Sequence, residues 1–286
     1  MPALRIVQRA VLDLRARNGI GVSSPASPPH FQRLCLQEDP SGVWVAEADG
    51  VLQGFAFSWM IGRFWFLAQL FIDPGVQARG IGQALLSRTL EQAARRGADN
   101  HALITFAYNR ASTGLYIRHG IYPREPLYRF EAPAQTVRLP SVPPSLEVVP
   151  MQSGGPAPAW LGEIDELVLG FRRDAHHQML LGTGLRALGF IRAGRPVGYA
   201  YVSGAGHVGP MAVAPGTDPA AAGVLALHEA KATAAEYVSI LAPGRAAALL
   251  AMITEAGLRL AEPMVILAAR PFGEWDRYVP MNPGYM

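Results

Sequence analysis

Lysine, cysteine and charge are all scarce in this chain of 286 residues. Lys231 is the only lysine, so self-acylation of a side-chain amine has a single target. Cys35 is the only cysteine, which excludes an intrachain disulfide and a CxxC metal knuckle and fits a reducing compartment. Charged residues make up 16%, the net charge is +3, and no Arg/Lys block of five or more occurs, which argues against a nucleic-acid partner. Long uninterrupted apolar runs are missing too. Arg5, Arg9, Arg15 and Arg17 break up the N-terminal segment, unlike a signal peptide, and the run from Gly54 to Ile72 is interrupted at Gly62-Arg63. We therefore expect a cytoplasmic protein with no membrane partner.

What is present is a core-forming composition, 50% hydrophobic with 30 glycines and 24 prolines, and a length near two domains of about 150 residues. Residues 1–140 carry 15 arginines against 10 acidic residues, whereas 141–286 carry 10 basic against 12 acidic, so the first half suits an anionic small ligand. Pro133, Pro140, Pro143, Pro144, Pro150, Pro156 and Pro158 mark a connection, because proline removes a backbone donor and breaks helices. A domain boundary near residue 140 follows, giving 1–140 and 141–286, with Leu146 to Met151 as the first strand of the second domain.

The two halves resemble one another. Val45 to Ala56 is similar to Phe190 to Ala200, Leu70 to Gly75 matches Met211 to Gly216, and Tyr116 to Gly120 aligns with Ile253 to Gly257. The expected order in the first copy is helices over 4–17 and 30–37, then strands over 43–48, 51–61 and 64–72. A helix over 81–96, a strand over 102–107, a helix over 112–119 and a strand near 127–130 complete it. This is a mixed α/β sheet, antiparallel at its start, repeated in tandem.

The stretch richest in chemistry follows the apolar strand Phe66 to Ile72. Asp73-Pro74-Gly75 leads into Gln77-Ala78-Arg79-Gly80-Ile81-Gly82 and then a helix with Ile81, Leu85, Leu86 and Leu90 on one face. Unpaired N–H groups and the positive end of the helix dipole can bind phosphate there, glycines let it approach the backbone, and Arg79 adds a full charge.

Gln77-x-x-Gly80-x-Gly82 resembles the acetyl-CoA loop of the GNAT acyltransferases. Asn109-Arg110-Ala111-Ser112-Thr113-Gly114-Leu115-Tyr116 and the following Gly120-Ile121 resemble that family's Asn-x-x-Ala-x-x-Leu-Tyr-x-x-x-Gly-Phe, with Ser112 for the alanine and Ile121 for the phenylalanine. The resemblance covers residues 40–130 and implies two tandem GNAT-like domains, the second degenerate. It also implies that the backbone of Leu70, Phe71 and Ile72 pairs with the pantetheine arm like an added strand. Gln77, Ala78, Arg79, Gly80, Ile81, Gly82 and Gln83 would hold the pyrophosphate. Asn109 and Ser112 would lie at the cofactor, and Tyr116 would protonate the departing thiolate. The family usually opens on a strand before its first helix, whereas this chain starts almost directly in that helix.

The second copy reads Gly216-Thr217-Asp218-Pro219-Ala220-Ala221-Ala222-Gly223, without arginine or Gly-x-Gly. Asn109 falls on Ala246 and Tyr116 on Ile253. Cofactor binding is expected in the first domain only, with the second shaping the acceptor pocket. Asp165, Glu166, Asp174, His176 and His177, around a helix between Glu163 and Leu181, and Glu274, Asp276 and Tyr278 could meet an amine, but each reads more simply as a solvated position. Adjacent His176 and His177 point apart on a helix, so no metal is expected. Glu47 and Gln69 lie on strands near the cleft, and the general base stays unassigned.

The sequence thus points to an N-acetyltransferase that uses acetyl-CoA as co-substrate and transfers acetyl directly to a primary amine of a small molecule. The alternative is a non-catalytic acyl-CoA-binding or regulatory protein of the same fold.

Overall fold

The computed structural model describes residues 2–20, 30–142, 145–234 and 236–286; Pro143 and Pro144 of the proline-rich stretch lie outside them. The chain divides into two compact units, Met1–Tyr122 with Leu267–Arg270, and Pro123–Ile266 with Pro271–Met286. Among the described residues no helix is long and apolar enough to cross a membrane.

In the first unit, helices α1 (Pro2–Arg17) and α2 (His30–Glu38) precede the antiparallel meander β1 (Val43–Ala48), β2 (Val51–Ile61) and β3 (Phe64–Ile72). The turn between β1 and β2 is Asp49-Gly50, both at positive φ, the backbone that suits the twist of a two-residue hairpin. Helix α1 buries Ile6 rather than Leu4, which is exposed. Both faces of β2 are buried from Gly54 to Trp59, so Ala56 and Ser58, between the alternating Phe55, Phe57 and Trp59, are buried as well. Helix α3 (Ile81–Arg95) carries the chain over to β4 (Asn100–Phe106), parallel to β3, and α4 (Arg110–Arg118) follows. Trp65, Phe66, Leu86 and Leu103 form the centre of this core.

The second unit repeats that order after β6 (Glu147–Pro150): helices α5 (Ala159–Leu169) and α6 (Asp174–Leu181), strands β7 (Arg186–Arg192), β8 (Arg195–Val202) and β9 (His207–Val213), α7 (Pro219–Thr233), β10 (Tyr237–Pro243), α8 (Ala247–Glu255) and β11 (Arg259–Ala268). The single helix expected between Glu163 and Leu181 is two, because Gly170 at φ +87° closes α5 in a left-handed cap. β6 flanks β7, whereas β1 pairs only with β2 among the described residues.

Gly54 and Gly198, matched in sequence, are matched in cause. A Cβ on Gly54 would stand 2.9 Å from the Phe71 carbonyl oxygen, and one on Gly198 2.8 Å from that of Ala212, so neither hairpin closes around a larger residue. The compact units divide at Tyr122/Pro123 rather than near residue 140. The reason is that β5 (Tyr122–Pro133) pairs antiparallel with β10 from Leu127↔Pro243 to Pro133↔Tyr237. In the first unit, the place beside β4 is taken by the segment Leu267–Arg270, where Ala269 N–H donates to the His101 carbonyl at 2.8 Å.

Candidate functional site

One extra residue shapes the site. The β2–β3 ladder pairs Phe57 with Gln69 but Ser58 with Leu67, so Ala68 is a bulge on β3. A bulge bends its strand and increases its twist. The parallel β3–β4 ladder accordingly ends at Leu67↔Leu103, and among the described residues Leu70, Phe71 and Ile72 keep only their β2 partners, Ala56, Phe55 and Gly54. Their opposite edge faces the gap left by the diverging β4. This is the edge on which the family resemblance would place the pantetheine arm.

β3 then runs into a turn ordered by Asp73, whose carboxylate accepts from Gly75 N–H at 2.9 Å and pairs with Arg9 of α1 at 2.6 Å. The Gln77 amide donates to the Ile72 carbonyl at 3.2 Å, so that oxygen has an intramolecular partner. Gln77, Ala78, Arg79 and Gly80 are all exposed, Ala78 sits at φ +63°, and Gly80 at φ +84° begins α3. No side chain caps this helix, so the N–H groups of its first turn point outward with the dipole. Gly82 is helical, and a Cβ there would meet only Ile72 Cγ1, at an ordinary 3.6 Å. Packing within the protein does not require glycine at 82.

β3 and β4 are parallel, so α3 and α4 begin at the same end of the pair, the carboxyl end, where open α/β sheets receive ligands. Asn109 is the N-cap of α4, its Oδ1 accepting from Ser112 N–H at 3.2 Å, a role the sequence reading did not assign. Its Nδ2 takes no part in the cap. Burial pushes the Tyr116 phenol well above its ordinary pKa, against a smaller lowering by Ser112. Thr113 Oγ1 is buried without a hydrogen-bond partner, and the sequence reading passed over it. The available signal was helical spacing, which puts Asn109, Thr113 and Tyr116 on one face. Glu47 is exposed on β1, one whole strand removed from β3, so it does not reach the gap.

In the second unit Asp218 caps α7 by accepting from Ala220 N–H at 2.9 Å, with Pro219 next to it. Ala246 caps α8 without a side-chain bond, and Ile253 is fully buried. Asp165, His176, His177 and Tyr278 are not solvated, contrary to the sequence expectation; all four are buried. Asp165 pairs bidentately with Arg173 at 2.8 and 3.1 Å and accepts from His177 Nε2 at 2.8 Å, while Tyr199 donates to its other oxygen. Burial alone would raise the Asp165 carboxyl, but the Arg173 guanidinium and His177 hold it well below the usual range. Burial and Arg173 push His176 down to about 3. The second unit therefore buries Asp165, His176, His177 and Tyr278 in a closed polar cluster where solvated positions were expected.

The model of the acetyltransferase (GNAT) family matches residues 9–121. The mycothiol acetyltransferase of Beutenbergia cavernae is 33% identical over 91 residues, 30% of this chain and 30% of its own length. The chain thus spans less than a third of that relative. A Pyrococcus horikoshii structure of acetyltransferase type superposes with a TM-score of 0.75 over 100% of this chain and 94% of its own, at 18% identity. A tandem GNAT protein from the clavulanic acid biosynthesis pathway superposes with a TM-score of 0.61 over 92% and 94%, also at 18% identity. At those identities the likeness is one of fold, two tandem domains of the same type.

Proposed function

Because residues 9–121 match the model of the acetyltransferase (GNAT) family, we propose that the chain is an acetyl-CoA-dependent N-acetyltransferase that passes an acetyl group directly to the primary amine of a small molecule. The observation that carries this reading is the junction at Gly80. A strand edge without a neighbour among the described residues runs through four exposed residues into an uncapped helix start, with a glycine at 82 that packing does not explain.

The residues fit the cofactor's chemistry part by part. Peptide groups of Leu70, Phe71 and Ile72 along the open edge suit the amides of a pantetheine arm. N–H groups from Gln77 to Gln83, with the Arg79 guanidinium, suit a pyrophosphate. Asn109 Nδ2 and Ser112 lie at the start of α4, at the same end of the strand pair. Acetyl-CoA supplies an acyl group already activated as a thioester.

Tyr116 would serve as the proton donor. Burial raises its phenol's pKa and keeps it protonated at neutral pH. A group in that state can deliver a proton to a sulfur as it departs. Direct transfer is supported by the lone cysteine: Cys35 is buried and its thiol is pushed up to about 12 by burial, Glu38 and Asp39, so it supplies no thiolate to carry an acyl group. A small acceptor is supported by relatives that bear the name mycothiol acetyltransferase.

Calorimetric titration with acetyl-CoA tests the reading. We expect one site per chain, weakened by bulky substitution at Gly82. Absence of binding at millimolar ligand would overturn it, and two sites would contradict the assignment to the first unit.

A further inference from the structure

In the second unit the equivalent edge is already occupied by the chain itself. Leu70, Phe71 and Ile72 correspond to Met211, Ala212 and Val213, and Leu67, where the first parallel ladder ends, corresponds to Val208. The β9–β10 ladder ends at that same place, Val208↔Ile240, and β9 again carries one residue more than its antiparallel neighbour β8 between Val208 and Met211. The gap is thus built in both copies. On one side of β9, Met211, Ala212 and Val213 pair with Ala200, Tyr199 and Gly198. Their other side pairs with a short strand, β12 (Tyr278–Val279), through Tyr278↔Ala212 and Val279↔Met211, and Val213 N–H donates to the Arg277 carbonyl at 3.1 Å. β12 therefore lies in the opening between β9 and β10.

The anchors of this segment are particular to the second copy. His207 Nε2 lies 2.6 Å from the Met281 carbonyl oxygen, where its N–H donates. The position equivalent to His207 in the first copy is Phe66, which has no such donor. A Cβ on Gly209 would stand 2.7 Å from the Pro280 oxygen and 2.9 Å from Met281 Cα, so the segment crosses where only hydrogen fits; the first copy has Ala68 there. Arg173 donates to the Met286 carbonyl, and Tyr278, Val279, Tyr285 and Met286 are buried. The phosphate loop has been lost on the same side: Asp218 caps α7 and Pro219 offers no N–H.

We propose that Trp275–Met286 is a built-in occupant of the second unit's cofactor groove, adding to β9 as a strand where the first unit leaves its edge open for the pantetheine arm. The proposal rests on the reading of that open edge as an acetyl-CoA site. It assigns to the segment the work of completing a split sheet whose ligand has been abandoned. Peptide groups of Met211–Val213 that would otherwise face an apolar cleft are satisfied, and acyl-CoA is kept out of the second unit.

Amide hydrogen exchange of the full chain, resolved to single residues, tests this. Val213 N–H should exchange about a hundredfold more slowly than Ile72 N–H without ligand and be unchanged by saturating acetyl-CoA, whereas Ile72 should slow when acetyl-CoA is added. In the His207→Ala variant, which removes the donor to Met281, exchange at Val213 should accelerate about tenfold with Ile72 unaffected. Exchange of Val213 as fast as Ile72, or slowing of Val213 by acetyl-CoA, would overturn the proposal. A lack of response at Ile72 with Val213 protected would instead refute the cofactor assignment of the first unit and leave the occupied groove supported.

Discussion

Replacement of Gly82 by alanine is expected to move stability and cofactor affinity in opposite directions. Within the protein the new methyl group has room: its nearest neighbour is Ile72 Cγ1 at 3.6 Å, and Gly82 does not have a positive φ. Gly82 is the second residue of α3, where alanine is preferred over glycine, so the variant should gain up to about 1 kcal/mol of stability. For a unit of this size, that raises the melting temperature by a few degrees, roughly 2–4 °C. The same methyl group would stand between the helix start and a bound pyrophosphate. Loss of one charge-assisted hydrogen bond costs roughly 1.5–3 kcal/mol, equivalent to about a 10- to 150-fold rise in Kd. Thermal unfolding of the ligand-free protein and calorimetric titration with acetyl-CoA read the two effects separately. A variant that binds acetyl-CoA as the parent does would refute the reasoning. So would a melting temperature that falls, since the loss of affinity could then be attributed to packing.

Tyr116→Phe should lower kcat by about a hundredfold while changing acetyl-CoA affinity little, because general-acid contributions are of that order; unchanged turnover would dismiss the tyrosine as proton donor. Asp165→Asn should destabilise the second unit by roughly 3–5 kcal/mol, since it leaves the Arg173 guanidinium buried without its counter-charge, and chemical denaturation would measure it. Acid should weaken the second unit through His207, which burial pushes down to about 4 despite the Met281 carbonyl, with Arg129 adding to the fall. An unfolded histidine takes up its proton near 6.5, so this contribution is complete above that pH and is lost as pH falls toward 4, roughly 3 kcal/mol in all. Urea midpoints measured between pH 7 and 4 should fall for the parent, and less steeply for His207→Ala; parallel slopes would count against the assignment.

Local pattern alone was enough for the repeat, the element order and the loop that leads into α3. Alternating and continuous apolar runs are set by burial, so strands over 43–48, 51–61 and 64–72 were legible to the residue. Gly54 and Gly198 recur because both hairpins bring a carbonyl oxygen against the same position. Gln77 to Gly82 and Asn109 to Tyr116 were legible because a helix start and a helix face have fixed spacings. Asn109 was placed correctly in the chain, but its cap on α4 is a hydrogen bond to Ser112 N–H that spacing alone does not distinguish from a ligand contact.

Three matters were decided only by the tertiary structure. The bulge at Ala68 depends on which residue of β2 faces which residue of β3, a register that no single strand encodes, and it is this that parts β3 from β4 and opens the edge. The burial of Asp165 and His177 depends on partners 8 to 34 positions away in the chain, among them Arg173, Tyr201 and Tyr199, and His176 packs against Tyr285, so the charges looked like a solvated face until those partners converged. The occupied groove of the second unit brings Tyr278 and Val279 to Ala212 and Met211. Two residues of strand carry no periodicity to read, and only the unpaired edge waiting in the folded sheet gives them their conformation. The sequence by itself determined that the Gly-x-Gly loop is written once and that the fold exists twice. The tertiary structure decided which strand edge is left open for a ligand, because an edge is free or filled only through pairings made across the whole chain.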